Sequence, residues 1–496
     1  MIEKFHKILE NLEIDYLLVN STNEYLVEYS SLQENARAKI SGFLGSTGDV
    51  LLTKEKQYLF VDGRYHEQAD LETYDYFSIV KLQLGQNQDD EIRKIIDKTK
   101  TLGIVAKKVS QTRLESFTGY KIKLLDFDPI NDFTESHNEN LSQAFSEHCF
   151  TPENPIFISN LEEVSYLTGL RDFSKDFSSK IYAKLFVHKD KRLLFRNNNE
   201  CANFLKNFDD KLLVDKSSIN AFDYSLIKYP VSQVSPIKFL KSIKTKEEIE
   251  AYKRAFAQTD KAVKAIREFI ENNENLSEYD IATRLKEEFI KYGAKSLSFK
   301  SIVAIDKNSA LAHYSKNSKD VVLKDGSLVL IDCGAYYDEG YATDITRVFV
   351  KGSPDDLQKK VYTTVLKAFL NAYNSNFITG IEYDKLAHKI LDNKIDGFQF
   401  NHGLGHGIGI NVHEAPPALN QSQIAQTELK ENMTFTIEPG LYNPEYFGVR
   451  LENSCYKTFN KVCSFTKMGY EGKLIDFSLL TENEQNWLKE FEILWK

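Results

Sequence analysis

At 496 residues, with 42% hydrophobic and 27% charged side chains, the chain is too long for one ordinary core, and two to four domains are expected. A net charge of −9 argues against nonspecific nucleic-acid binding, which needs a basic surface. No stretch reaches the length of a membrane span or a signal-peptide core, and five scattered cysteines (149, 201, 333, 455, 463) read as reduced thiols, so a cytoplasmic protein with no membrane partner is expected.

From the N-terminus, Phe5, Ile8, Leu9 and Leu12 recur at helical spacing ahead of a strand. Residues 15–31 (DYLLVNSTNEYLVEYSS) and 154–170 (NPIFISNLEEVSYLTGL) then repeat one order: strand, polar break, acidic residue, apolar helical turn. Each precedes a hairpin pattern, at 50–65 and at 183–198. A duplicated α/β module is expected, one copy near 1–135 and one near 150–235, joined by the polar stretch 130–143. Pro236 marks the next boundary. Thr245 with Glu248, and Ser277 with Asp280, are capping-box signals for two helices, the second ended by Gly293. Strands and helices alternate from there to the C-terminus, and every unusual motif lies in that stretch. The expected fold class is α/β (α+β), in three domains: 1–140, 141–236 and 237–496.

In LVLIDCGAYYDEGYATDITRVFV (328–350), two β-rich runs flank the turn signal DEG and predict a hairpin. Asp332 lies near the end of the first strand and Asp344 early in the second. Carboxylates there are costly unless paired or bound to a cation. Arg347 is near enough to neutralise one of them, but two aspartates folded toward each other suggest a metal site. Cys333, beside Asp332, is expected to be a small buried thiol rather than a ligand.

In FTIEPGLYNPEYFGVRLENS (435–454), Glu438 ends a strand before Pro439-Gly440, and Glu452 follows GVRL on another. Four such carboxylates would repel one another without a cation. Hard oxygen ligands with an imidazole suit manganese, cobalt, iron or zinc, and the carboxylate excess favours manganese. Two such ions share a bridging water, acidify it and aim the hydroxide at a carbonyl carbon. No GxSxG, HExxH or Walker loop points to another chemistry.

The stretch NHGLGHGIGINVHE (401–414) sets three histidines among four glycines at alternate positions. In an extended backbone His402 and His406 share one side, and the glycines are expected to let the chain approach a metal or substrate. One histidine is expected as a ligand; the others, with His313 in ALAHYSKN, could stabilise the charge of a tetrahedral intermediate. His6, His66, His137, His148, His188 and His388 read as ordinary surface or core residues.

Together, ALAHYSKN, LIDCGAYYDEGYATDITR, HGLGHGIGINVHE, TIEPGLY and GVRLEN resemble the pita-bread metallopeptidases, specifically the aminopeptidase P family of three-domain cytosolic type. Stretches at 40–69, around 160–171, at 235–255 and near the C-terminus extend the resemblance over nearly the whole chain. It implies two related creatinase-like N-terminal domains followed by a pita-bread catalytic domain. It implies two divalent metal ions held by Asp332, Asp344, His406, Glu438 and Glu452, with Glu438 also the proton acceptor from the bridging water. It further implies that His313 and His413 stabilise the reacting amide, that His402 faces the proline side and that Arg450 orients a ligand carboxylate. The implied reaction is removal of the N-terminal residue from peptides with proline second, by a homodimer. Prolidase, which cleaves dipeptides, is the alternative enzyme, and a non-catalytic peptide-binding member of the fold is the alternative outside catalysis. Two spacings depart from the pattern. The 332–344 interval is one residue longer than is common in the family, and the 406–413 interval is shorter than in animal cytosolic enzymes.

Overall fold

The computed structural model describes residues 1–28, 30–83, 85–131 and 141–494. The linker expected at 130–143 and His137 therefore lie largely or wholly outside the described residues. The chain forms two compact units. One holds the described residues of Met1–Glu139, Phe145–Leu170 and Ile181–Pro236; the other holds those of Asn140–Ala144, Arg171–Lys180 and Ile237–Lys496.

The first unit contains two mixed sheets. Strands β1 (Tyr16–Val19), β2 (Asp49–Thr53), β3 (Gln57–Val61), β4 (Phe77–Lys81), β5 (Thr101–Val105) and β6 (Lys121–Leu125) lie in the order β4-β3-β2-β1-β5-β6. Strands β7 (Ile156–Ile158), β8 (Lys184–His188), β9 (Lys191–Phe195), β10 (Lys211–Val214) and β11 (Tyr229–Ser232) lie in the order β9-β8-β7-β10-β11. The central strand of each sheet pairs antiparallel with the first arm of a hairpin on one side and parallel with a later strand on the other. The two sheets thus share one topology, the second lacking a counterpart of β4. The local match is looser than the sequence suggests. Leu161–Thr168 is a helix capped by Asn160, whereas the corresponding stretch after β1 forms turns, and its helix begins only at Ala36 behind Asn35. A short polar run there (NST) gives the backbone hydrogen-bonding alternatives to a helix.

The second unit is built on an antiparallel sheet: β12 (Ile302–Ile305), β13 (Leu328–Cys333) and β14 (Ile345–Val350), with β13 central. Alternation along the strands sends Leu328, Leu330 and Val348 to one core and Val329, Ile331 and Phe349 to another. The first core is completed by helices α1 (Asp356–Tyr373) and α2 (Gly380–Leu391) and the second by the earlier pair Lys246–Asn272 and Glu278–Lys291. Both members of that earlier pair begin with the expected capping boxes, Thr245–Glu248 and Ser277–Asp280. A second antiparallel sheet joins Thr434–Ile437, Asn453–Lys457 and Val462–Ser464. The predicted 328–350 hairpin forms, with Asp332 opposite Thr346 in the register. Its turn closes with Gly340 N donating to Tyr337 O at 2.9 Å. Asp332 falls on the Leu328–Leu330 face by the same alternation, whereas Cys333 falls on the other, fully buried, where burial pushes its thiol well up.

Gly334 sits where the hairpin arms are closest: a Cβ there would land on the Thr343 carbonyl and the Ser298 hydroxyl. Gly334→Ala is therefore expected to destabilise the protein by about 1–3 kcal/mol, as overpacking of a closed backbone contact does. Urea unfolding checks this, and an unchanged midpoint would refute it.

Candidate metal centre

Three backbone ladders in the second unit bring the motifs together. Glu452 N donates to Thr346 O at 3.1 Å, laying the 448–457 region against the hairpin. Glu438 N donates to Leu404 O at 2.8 Å, laying the Thr434–Ile437 strand against the glycine-rich stretch. Ala342 N donates to Gly409 O at 2.9 Å, tying that stretch back to the hairpin. Glu452 does not lie within a strand, as expected from GVRL, but in the two-residue break between strands Gly448–Arg450 and Asn453–Lys457.

The result is a cluster. Asp344, His406 and Glu452 each offer a ligand atom, and these atoms all lie within 4.8 Å of one another. His406 Nε2 stands 3.6 Å from Asp344 Oδ2 and 3.4 Å from Glu438 Oε1. Asp332 enters through Arg450, whose Nη2 donates to Asp332 Oδ2 at 2.6 Å. The same guanidinium donates through Nη1 to the Tyr442 hydroxyl at 2.9 Å and through Nε to Thr346 Oγ1 at 3.2 Å. Thr346 Oγ1 in turn donates to Glu452 Oε2 at 2.8 Å. Arg347, the alternative partner for the aspartates, is spent elsewhere. Its guanidinium donates to the carbonyls of Thr346, Glu452, Met468 and Gly469 and to Asn453 Oδ1.

Electrostatics tests whether this donor set fits a cation. Burial raises Asp344 well above the carboxylate range, and Glu452, Asp332 and Glu438 add to the shift. Burial likewise raises Glu452, with Glu438 and Asp332 adding. Burial pushes Glu438 up to about 7, with Arg450 opposing and Asp332 reinforcing the shift. Among the described residues, Asp332 Oδ1, Asp344 Oδ1 and Glu452 Oε1 are buried with no hydrogen-bond partner. Asp332 Oδ2 and Glu452 Oε2 accept from protein donors while their other oxygens are left open, and Asp344 Oδ1 is open with its Oδ2 only 3.6 Å from His406 Nε2, an expensive state unless a cation fills it. His406 Nδ1 lies 3.0 Å from Gly407 O, an acceptor only, so Nδ1 carries the proton and Nε2 presents its lone pair to the carboxylates. The residues fit a divalent metal.

Of the other predicted groups, His413 adjoins this cluster and His402 is linked to it through Tyr442 and Arg450. The His413 ring stands edge-on to His406, with centroids 4.5 Å apart. His402 lies one step out. Its Nδ1 is 2.8 Å from Gly403 O and its Nε2 is 2.8 Å from the Tyr442 hydroxyl. Because Nδ1 faces a carbonyl it carries the proton, so Nε2 accepts from the Tyr442 hydroxyl, which itself accepts from Arg450. Both His402 nitrogens are thus engaged by protein, and its ring offers carbon edge and face. His313 sits in a turn after the short helix Asp306–Ala310 and is partly buried. His388 lies apart on α2, between Asp384 and Asp392. Sequence reasoning assigned no role to Thr346, Thr436 or Tyr442. Thr436 accepts from His406 N at 3.1 Å and donates to Glu438 at 3.3 Å. The available signal was polar residues at inward positions of otherwise apolar strands.

The glycines serve a different purpose from the one expected. A Cβ on Gly405 would strike the Thr436 carbonyl, and one on Gly409 would strike the Glu414 carboxylate. They admit neighbouring protein rather than a ligand, because the glycine-rich stretch is itself squeezed between a strand and the 414–419 return. Glu414 anchors that return. It is buried, 3.0 Å from Lys241 and 3.6 Å from Lys244.

Comparison with known proteins follows this geometry. Residues 250–458 match Metallopeptidase family M24, and residues 1–132 match the Creatinase/Prolidase N-terminal domain. Residues 250–458 therefore form an M24 metallopeptidase domain. The chain's architecture is two creatinase-like α/β domains followed by a pita-bread domain. A probable Xaa-Pro aminopeptidase P of Coprinopsis cinerea is 27% identical over 98% of this chain and 92% of that protein. An Xaa-Pro dipeptidase of Pyrococcus furiosus is 40% identical, over 47% of this chain and 65% of that protein. The crystal structure of X-prolyl aminopeptidase from Caenorhabditis elegans, described as a cytosolic enzyme with a di-nuclear active site, superposes with a TM-score of 0.88. The two are 21% identical, covering 98% of this chain and 94% of that one. Among the described residues no helix is long and apolar enough to cross a membrane.

Burial alone would raise the Glu414 carboxyl, but Lys241 and Lys244 outweigh it and hold it at about 2, against an ordinary 4.5. The depressed value stabilises the fold fully above the unfolded pKa, and that stability is lost as pH falls toward the folded one. Glu414→Gln is expected to lose about 3 kcal/mol at neutral pH, and roughly half that at about pH 3. Urea unfolding at both pH values checks this; an equal deficit at each would refute the ion-pair account.

Proposed function

We propose that this chain is a metal-dependent Xaa-Pro aminopeptidase, removing the N-terminal residue from peptides with proline at the second position. The observation that carries the reading is the convergence of Asp344, His406 and Glu452 around buried oxygens that no protein donor fills. Alignment over 98 and 99% of the chain with aminopeptidases, against 47% with the dipeptidase, favours this reading over prolidase. The intact set of acidic groups and His406 argues against a non-catalytic peptide binder.

On this reading Asp332, Asp344, His406, Glu438 and Glu452 hold two divalent ions, manganese before zinc or cobalt given the oxygen-rich set. When bound, the ions supply an acidified water and a polarised peptide carbonyl. Glu438 takes the proton from the attacking water, its carboxylate steadied by Thr436. His413 and His313 donate to the oxygen that gains charge as the amide carbon becomes tetrahedral, and one of them passes a proton to the leaving proline nitrogen and is resupplied with the proton that Glu438 took. Arg450 fixes the rotation of the Asp332 carboxylate, so that Oδ1 faces the ions. His402, with its nitrogens engaged, lends an apolar edge to the proline ring. A division at 1–140, 141–236 and 237–496, a homodimer and a cytosolic location complete the proposal; the five free cysteines accord with a reducing compartment.

The purified protein, loaded with manganese, is expected to cleave Xaa-Pro-Yaa tripeptides faster than Xaa-Pro dipeptides and to spare Xaa-Ala-Yaa. The reverse order of the first two would make it a prolidase, and no cleavage would sink the enzyme reading. Glu438→Gln is expected to lower kcat by roughly 10²- to 10⁴-fold, the usual worth of a positioned proton acceptor. Thermal melts give an independent readout. Manganese should raise the Tm of the wild type and leave that of Glu452→Gln nearly unmoved, since only a state that binds the ion is stabilised by it. Equal shifts in both would remove Glu452 from the ligand set.

A further inference from the structure

The turn that carries His313 is gripped by a carboxylate distant from the metal cluster in sequence. Glu278 opens the helix Glu278–Lys291 and is fully buried. A buried carboxylate persists when donors fill its oxygens, and four do. Oε1 accepts from Ile305 N and from Asn308 Nδ2, both at 2.8 Å. Oε2 accepts from the Tyr314 hydroxyl at 2.6 Å and from Ser318 N at 2.8 Å. The donors come from both sides of His313.

None of this serves the helix that Glu278 begins. That N-terminus is already closed by the Ser277–Asp280 capping box. The carboxylate is instead turned onto the 305–318 segment. Tyr314, the residue next to His313, is held at both ends: its N donates to Leu311 O at 3.0 Å, and its ring is buried in the core. Asn317 brings the far end of the segment back, accepting from Val303 N at 3.2 Å and donating to Ser301 O at 3.2 Å. Those contacts flank Ile302, the register partner of Asp332. The backbone around His313 therefore has one setting, fixed beside the strand end that bears Asp332.

We propose that Glu278, acting through Tyr314 and Asn308, is the positioning residue for His313. This rests on the reading of His313 as a group that meets the reacting amide. A catalytic donor displaced by an ångström forfeits much of its effect, so the segment's rigidity is part of the chemistry.

Tyr314→Phe removes one hydrogen bond and keeps the ring in the core. It is expected to lower kcat on an Xaa-Pro-Yaa peptide by roughly 10- to 100-fold, with KM changed less than about threefold and with bound manganese and Tm near wild type. Glu278→Gln, which replaces one acceptor by a donor, should lose at least as much; if it does not fold, Tyr314→Phe carries the test. In a His313→Ala background Tyr314→Phe should cost no further kcat, because a group acting through His313 can lose only what His313 supplies. A full second loss overturns the proposal. The imidazole signal of His313 in ¹³C-histidine protein, assigned by its absence from His313→Ala, gives a readout free of turnover. It should shift in Tyr314→Phe, and an unmoved signal overturns the proposal. A wild type that cleaves no Xaa-Pro peptide, yet whose His313 signal moves in Tyr314→Phe, would sink the peptidase reading and leave the positioning role standing.

Discussion

The second unit is organised around a concentration of buried negative charge that protein groups alone do not neutralise. Asp344 and Glu452 lie buried together, with the partly buried Glu438 and Asp332 beside them, and the Arg450 guanidinium faces the group. Left alone, Asp344, Glu438 and Glu452 take up protons, which is the meaning of their raised pKa values. A divalent cation is the other resolution, and it keeps the oxygens as ligands. Folding and metal binding are therefore linked, because the energy lost by burying the carboxylates is returned when the ion arrives.

Strand register supplies the accuracy this needs. Asp332 and Thr346 are direct partners on adjacent strands and so face one side together. Thr346 then bonds Glu452, and Arg450 bonds Thr346 and Asp332, so two carboxylates are set by one cross-strand pair. Arg450 could not be a lysine here. It serves three acceptors in three directions at once, which a fixed planar fork does and a single ammonium on a flexible stem does not.

Much of this was legible in the sequence, because the cues were violations of pattern. Acidic residues directly after the apolar runs LVLI and TFTI, and histidines in a glycine-rich stretch, stand out against what strands require. The capping boxes and the 328–350 hairpin were readable for the same reason: local chemistry decides them. What was not legible depends on distant backbone. The glycines of 403–409 look made for a ligand until Thr436 and Glu414 are seen to occupy the space. Tyr442 reads as an ordinary strand aromatic until Arg450 and His402 meet at its hydroxyl. The helical turn expected after β1 does not form, because the polar NST break leaves the backbone other partners.

The same residue types perform opposite tasks in this unit, and hydrogen bonding tells them apart. Glu278 has four donors and Glu414 two lysines; their charges are consumed in holding segments still. Asp332, Asp344 and Glu452 each keep one buried oxygen open; Asp344 and Glu452 belong to one cluster with His406, and Asp332 joins it through Arg450. Glu471 also has an unfilled oxygen, but it stands against the buried Arg267, 2.6 Å from its other oxygen, and is neutralised where it is. An open oxygen alone is therefore weak evidence of function. Several in neighbouring side chains, with the partner oxygens of Asp332 and Glu452 tied down so that they cannot turn away, describe a surface shaped for something the chain does not itself contain. The filled carboxylates make that possible, since a cluster of mutual repulsion stays together only if the segments bearing it are anchored elsewhere.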